Sequence, residues 1–287
     1  MTTLQTDSRH SFVAGTPANA GRPTTKVLTM DDLRRLTPSV FATAGREDVS
    51  SRYRFIPTTE VIDILGAQGF RPVRAGQTLV KTAGRDDFAK HVLRFRHEGS
   101  LDLRTVGDEV GELVLSNSHD RSSAYQLMMG IYRLICSNGA VVQSADFGSI
   151  SVRHSGSKEF EGQVLDATFR VVEAMPHVMD QIEVWKQIEL SQPQQVALAT
   201  AALQLRENKV VTPQQLLAAR RYEDKKPDLW TTSQRIQENI VQGGQKGRNA
   251  KGGRATTRPI KSVDADLKTN RALWMLTTEM AKLVGAN

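Results

Sequence analysis

Between Gly243 and Lys261 the chain reads GGQKGRNAKGGRATTRPIK, which places Lys246, Arg248, Lys251, Arg254, Arg258 and Lys261 together with no carboxylate among them. Cations in such a stretch neutralise phosphates and release counterions as they do so, which makes the binding depend on salt. The same composition serves a solvated linker, whose charges only keep it soluble. The missing acids favour contact with a polyanion, and nucleic acid is the commonest one. Gly243, Gly244, Gly247, Gly252 and Gly253 lead us to expect a flexible loop. Trp230 and Trp274 flank it; each suits either a stacked base or the core of its own helix.

Two further groups could meet a backbone phosphate. The first is Ser116-Asn117-Ser118-His119-Asp120-Arg121-Ser122-Ser123, small hydroxyl residues with one Arg. Placed where a strand feeds a helix, such residues present free N–H groups to an anion, or simply cap the helix. The second is Arg52, Arg54, Arg71, Arg74, Arg94 and Arg96, which alternate with apolar residues along three extended segments. Alternation puts them on shared faces, as a groove for a nucleic-acid backbone or as a solvated sheet face. His119, Asp120, Cys136 and His154 do not follow a compact zinc spacing. No phosphate loop GxxxxGK[ST], HExxH or GxSxG is present. We therefore assign no catalytic residue, no metal ligand and no cofactor.

The elements that must position these groups follow from periodicity. Met30 to Leu36 reads as a short helix capped by Thr29, and Ser51 to Pro57 as a strand. A helix begins at Thr58 or Thr59 and ends at Gly69. Extended segments follow at Phe70 to Val80, His91 to Arg96, Leu101 to Val106 and Leu113 to Ser116. Ala124, Leu127, Met128, Ile131, Leu134 and Ile135 recur at steps of three and four, so a buried helix is expected from about Arg121 to Ser137. From Lys158 the chain is helical: a long helix to Leu190 that Pro176 should kink or divide, one starting at Ser191-Gln192-Pro193, one from Gln214 to Tyr222 started by Thr212-Pro213, and further helices at Leu229 to Val241 and Asp264 to Val284. The expected fold class is α+β. Residues 1–29 are a tail, 30–157 an antiparallel β-meander with helices on one face, and 158–287 a helical region carrying the basic loop 243–261.

The chain has 287 residues, 39% of them hydrophobic, and a net charge of +7. One cysteine excludes an internal disulfide, and no apolar run is long enough to span a bilayer. A cytoplasmic protein without a membrane partner is expected.

The run SNSHDRSSAYQLMMGIYRLICSNGAVV, the following FGSISVRHSG, and near the end LWTTSQRIQENIVQGG and NRALWMLTTEMAKL resemble the plasmid- and phage-borne family known as domain of unknown function 932. The resemblance implies a mobile genetic element as the setting and brings no assigned reaction. Our expectation is a DNA-binding protein handling single-stranded DNA in recombination or annealing. The anticipated strand-strand-strand-helix order is similar to that of ring-forming annealing proteins, from which a homo-oligomer would follow. The alternatives are an anti-restriction or other anti-defence factor that binds a host protein and, last, a metal-dependent nuclease.

Overall fold

The computed structural model describes residues 13–14, 26–47, 55–78, 80, 84–101, 109–120, 122–123, 125–133, 138–142, 150–151, 157–206, 210–249 and 251–285. The first half runs β1 (Val13–Ala14), α1 (Met30–Leu36), α2 (Thr58–Ala67), β2 (Phe70–Gln77), β3 (His91–His97), β4 (Glu109–Asn117), β5 (Gln126–Arg133), β6 (Asn138–Val141) and β7 (Ile150–Ser151). The second half runs α3 (Ser157–Gln187), α4 (Gln192–Leu203), α5 (Pro213–Leu216), α6 (Leu229–Gln242), β8 (Lys246–Arg248), β9 (Arg254–Thr256) and α7 (Val263–Leu283). The fold is α+β. None of the helices among the described residues is long and apolar enough to cross a membrane.

Strands β1 to β6 pair in chain order, each antiparallel to the next, and β7 joins β6 along one side of β5. Alternation sorts the side chains between two faces. Leu93, Phe95, Leu113, Leu115, Leu127, Met129 and Ile131 enter the main core with residues of α2, α3, α4 and α6. Val92, Val114 and Met128 point the other way and meet Val263 and Leu267 of α7 in a second, smaller cluster. Helices therefore cover both faces, where the sequence suggested one. Gly111 of β4 shows how closely the layers approach: a Cβ there would lie 2.0 Å from the Met175 sulfur of α3.

The expectation for the centre of the chain is overturned. The helix anticipated from Arg121 to Ser137 is not formed; Gln126–Arg133 is β5, a strand between β4 on one side and β6 and β7 on the other. The run QLMMGIYR, apolar on both faces, satisfies helical and extended spacing alike once both faces are buried. Gly130 costs about 1 kcal/mol in a helix, while Ile131 and Tyr132 favour a strand. The strand-strand-strand-helix order disappears with that helix, and the inferred ring loses its support. Phe55 to Pro57 forms no strand and leads directly into α2. The remainder of that proposed strand, residues 51–54, lies outside the described residues, as do 102–106, Leu134, Ile135, Cys136 and His154.

The helix starts follow their caps. Thr29 Oγ1 accepts from the Asp32 N–H at 3.1 Å while the Thr29 N–H donates to Asp32 Oδ2 at 3.2 Å, a capping box for α1. Ser191 with Gln194 and Thr212 with Gln215 do the same for α4 and α5. Helix α3 runs through Pro176 without division. Helix α5 stops at Leu216, short of the expected Tyr222. Beyond it Asp224 is buried and binds Arg133 Nη1 at 3.0 Å and Arg221 Nε at 2.9 Å, so ion pairing fixes a different course for that segment. Trp230 and Trp274 are core residues: with Trp185 they form a buried cluster with ring centroids 4.8–6.2 Å apart.

Candidate nucleic-acid interface

The basic Gly-rich stretch is a folded hairpin. Strands β8 and β9 pair antiparallel, with Lys246 opposite Thr256, Gly247 opposite Ala255 and Arg248 opposite Arg254. The turn between them is closed by Asn249, whose Oδ1 accepts from the N–H groups of Lys251 and Gly253, each at 3.0 Å. Asn is suited to this because its carboxamide can hold its own turn. At the root, the Gly244 N–H donates to the Thr257 carbonyl at 2.8 Å and the Thr257 N–H to the Gln245 carbonyl at 2.9 Å. Gly247 is required by packing: a Cβ there would lie 1.7 Å from the Val210 carbonyl oxygen.

The ladder decides the charge geometry. Opposed residues share a face, so Gly247 and Ala255 turn toward the body while Lys246, Arg248, Arg254 and Thr256 form the outer face. Lys246, Arg248, Lys251, Arg254, Arg258 and Lys261 are all exposed. None of the six forms an ion pair among the described residues; Arg248 Nη1 donates to the Gly252 carbonyl at 2.8 Å. Arg248 and Arg254 stand directly opposite each other, an unfavourable pairing of like charges for the protein alone.

The other sequence candidates are elsewhere. Arg94 and Arg96 are each 1% exposed. Glu112 bridges them on the neighbouring strand, its Oε2 3.2 Å from Arg94 Nη1 and its Oε1 2.7 Å from Arg96 Nη2. The Arg96 guanidinium also lies 4.4 Å from the centre of the Tyr132 ring. These arginines therefore do not form the exposed basic face that alternation suggested; α7 covers that side of the sheet. Arg71 is half-buried, donating to the Gly66 carbonyl at 2.8 Å and pairing with Glu98 at 3.2 Å. Arg52, Arg54 and Arg121 lie outside the described residues.

Ser116, Asn117, Ser118 and His119 are buried at the end of β4, and without a helix after them there is no helix N-terminus to offer a phosphate. Asn117 Nδ2 donates to Thr58 Oγ1 at 3.1 Å, and the Ser118 hydroxyl donates to the Ser123 carbonyl at 3.0 Å. Thr58 Oγ1 lies 2.9 Å from His91 Nε2 and 3.4 Å from His119 Nε2; His91 Nδ1 lies 2.9 Å from Ser39 Oγ. Ser39 in turn donates to Gln77 Oε1 at 2.8 Å. Burial pushes His91 down to about 3, with the nearby His119 adding to the effect, and pushes His119 down to about 4 against the pull of Asp120. Both imidazoles are neutral at pH 7. His91 was not singled out by sequence reading; its position at the start of an alternating strand gave no sign of the partner that β4 brings to it. Among the described residues, no group of three or more His, Cys, Asp and Glu side chains is arranged to hold a metal ion.

Comparison with known proteins agrees with the motifs. The UPF0380 proteins YafZ and YfjQ of Escherichia coli (strain K12) are each 42% identical over 252 residues, covering 87% of this chain and 90% of their own length. No solved structure matches the chain. The family described as "Domain of unknown function (DUF932)" matches residues 47–274, and the chain belongs to it.

Proposed function

We propose that the protein binds nucleic acid through the outer face of the β8–β9 hairpin, with single-stranded DNA as its preferred ligand. The setting we propose is the DNA of plasmids or phages, which the family resemblance implies. The observation that carries the reading is the hairpin face itself: Lys246, Arg248 and Arg254 side by side, exposed, with no carboxylate partner among the described residues. Within 243–261 lie six of the positive charges that make up a net +7 for the whole chain. The basic character is thus concentrated at one place, as a backbone-binding surface requires.

The test is fluorescence anisotropy with a labelled single strand and its duplex across a salt series. A face that contacts phosphates gives affinity falling steeply with salt. The triple variant K246Q/R248Q/R254Q should keep its fold, because these side chains are exposed, and should flatten the logarithmic salt dependence by about 2 on single strands, roughly 0.7 per lost phosphate contact. Wild-type protein that binds neither strand nor duplex at low salt would refute the reading.

A further inference from the structure

Beside the hairpin a cleft of about 670 Å³ opens between β9, the end of α4 and the start of α7. Its apolar wall includes Leu205 and Ile260, and its polar side includes Arg206, Arg258, Lys261 and Ser262. Resting on the proposed nucleic-acid reading, we propose that this cleft takes one unstacked nucleotide of the bound strand, base against Leu205 and Ile260, phosphate toward Arg258 and Lys261.

Three observations support it. First, Thr256 belongs both to the outer face of the hairpin and to the wall of the cleft, so a strand following Lys246, Arg248 and Arg254 is led into it. Second, the wall is fixed in place. Arg206 Nη1 donates to the Ile240 carbonyl at 2.6 Å and Nη2 to the Arg258 carbonyl at 3.1 Å, and the Ile260 N–H donates to the Val241 carbonyl at 2.8 Å. A preformed cleft binds without first having to order its walls. Third, Arg258 and Lys261 are exposed and form no ion pair among the described residues, while the volume lies within the usual range for small-molecule sites. A base inside a duplex cannot enter such a cleft without unpairing, so the cleft would make the hairpin selective for single strands.

Ala265 lines the cleft on an exposed face of α7, and Ala265→Trp fills the space while leaving all six cations in place. The probe is an oligothymidylate of about 12 nucleotides, within the usual site sizes of single-strand binders, and a duplex of equal length. We expect A265W to bind the single strand about tenfold more weakly, the loss expected from exposing roughly 55 Å² of apolar surface, with duplex affinity and salt slope unchanged. A 2-aminopurine placed within the strand should brighten on binding wild-type protein, as an unstacked base does, and this readout needs no variant. Wild-type protein that binds DNA without preferring the single strand and without brightening the probe overturns the cleft proposal and leaves the hairpin standing. So does A265W that keeps the full preference. Wild-type protein that binds no DNA at all removes the hairpin reading and the cleft with it.

Discussion

The buried pair His91 and His119 makes the stability of this protein depend on pH in a calculable way. Both imidazoles have folded values below the ordinary 6.5, about 3 for His91 and about 4 for His119, because burial opposes their charge. A depressed histidine contributes stability that is fully present above 6.5 and is lost as pH falls from there toward the folded value, since the unfolded chain takes up the proton first. At pH 5 each unfolded histidine is favoured by about 1.5 pH units of proton binding, roughly 2 kcal/mol each and 4 kcal/mol for the pair. The local slope near pH 5 is about 2.5 kcal/mol per pH unit, nearly two protons' worth. Burial raises Asp120 but its bonds with Ser122 prevail and hold it below its ordinary value, whereas burial raises Asp266; both groups are present in the wild type and in the control variant alike. The assay is urea unfolding followed by fluorescence of Trp185, Trp230 and Trp274, which share the core, at intervals from pH 7.5 to 5. The double variant H91Q/H119Q supplies the control, because it removes both titrations whatever else it does to absolute stability. Wild-type stability should fall by about 4 kcal/mol more than that of the variant across the interval. Parallel curves would show that the two imidazoles are hydrated or charged in the folded protein, and the reasoning would fail.

Three further outcomes follow from packing. Glu112→Gln leaves Arg94 and Arg96 buried without their carboxylate and should cost about 3–5 kcal/mol in urea unfolding. A cost below about 1 kcal/mol would mean that water reaches the pair. Leu127→Ala should cost about 2–5 kcal/mol, since Leu127 is fully enclosed in the main core. Gly247→Ala forces its Cβ onto the Val210 carbonyl, so amide hydrogens of β8 and β9 should exchange faster than in the wild type, with core amides unaffected. Unchanged exchange in the hairpin would show that it does not rest on the segment at Val210.

Much of the fold was legible because local signals and tertiary structure agree. Thr29, Ser191 and Thr212 announced their helices, and β2 and β3 lie where alternation put them, while β4 begins at Glu109, four residues before the apolar run that marked it. Strand β5 was misread because burial on both faces erases the alternation that distinguishes a strand, and Leu127 and Ile131 fit either period. Helix α5 was overestimated because the ion pair of Asp224 with Arg133 joins residues far apart in the chain, which no window of sequence contains. The basic stretch was found by composition, but its order was hidden: five glycines suggest freedom, whereas Gly247 is held by the close approach of Val210 and the turn by Asn249.

The arginines of β3 and those of the hairpin differ in what the protein provides for them. The sequence marks both sets, Arg94 and Arg96 by their alternation with apolar neighbours and Arg248 and Arg254 by a stretch without acids. A guanidinium taken out of water needs partners, and β4 supplies Glu112 within ion-pair distance of both Arg94 and Arg96. The hairpin receives no such partner among the described residues, although Arg248 and Arg254 face one another across the ladder. Elsewhere the chain pairs its charges even at some distance in sequence, as Lys90 with Asp264 and Arg221 with Glu238 show. A hairpin face that carries Lys246, Arg248 and Arg254 without a carboxylate among the described residues, beside buried Arg94 and Arg96 that have one, has the charge distribution expected of a surface whose counter-charge arrives with a ligand. In the proposed reading a phosphate backbone would supply that counter-charge at regular spacing, and the salt dependence of binding is the quantity that measures it.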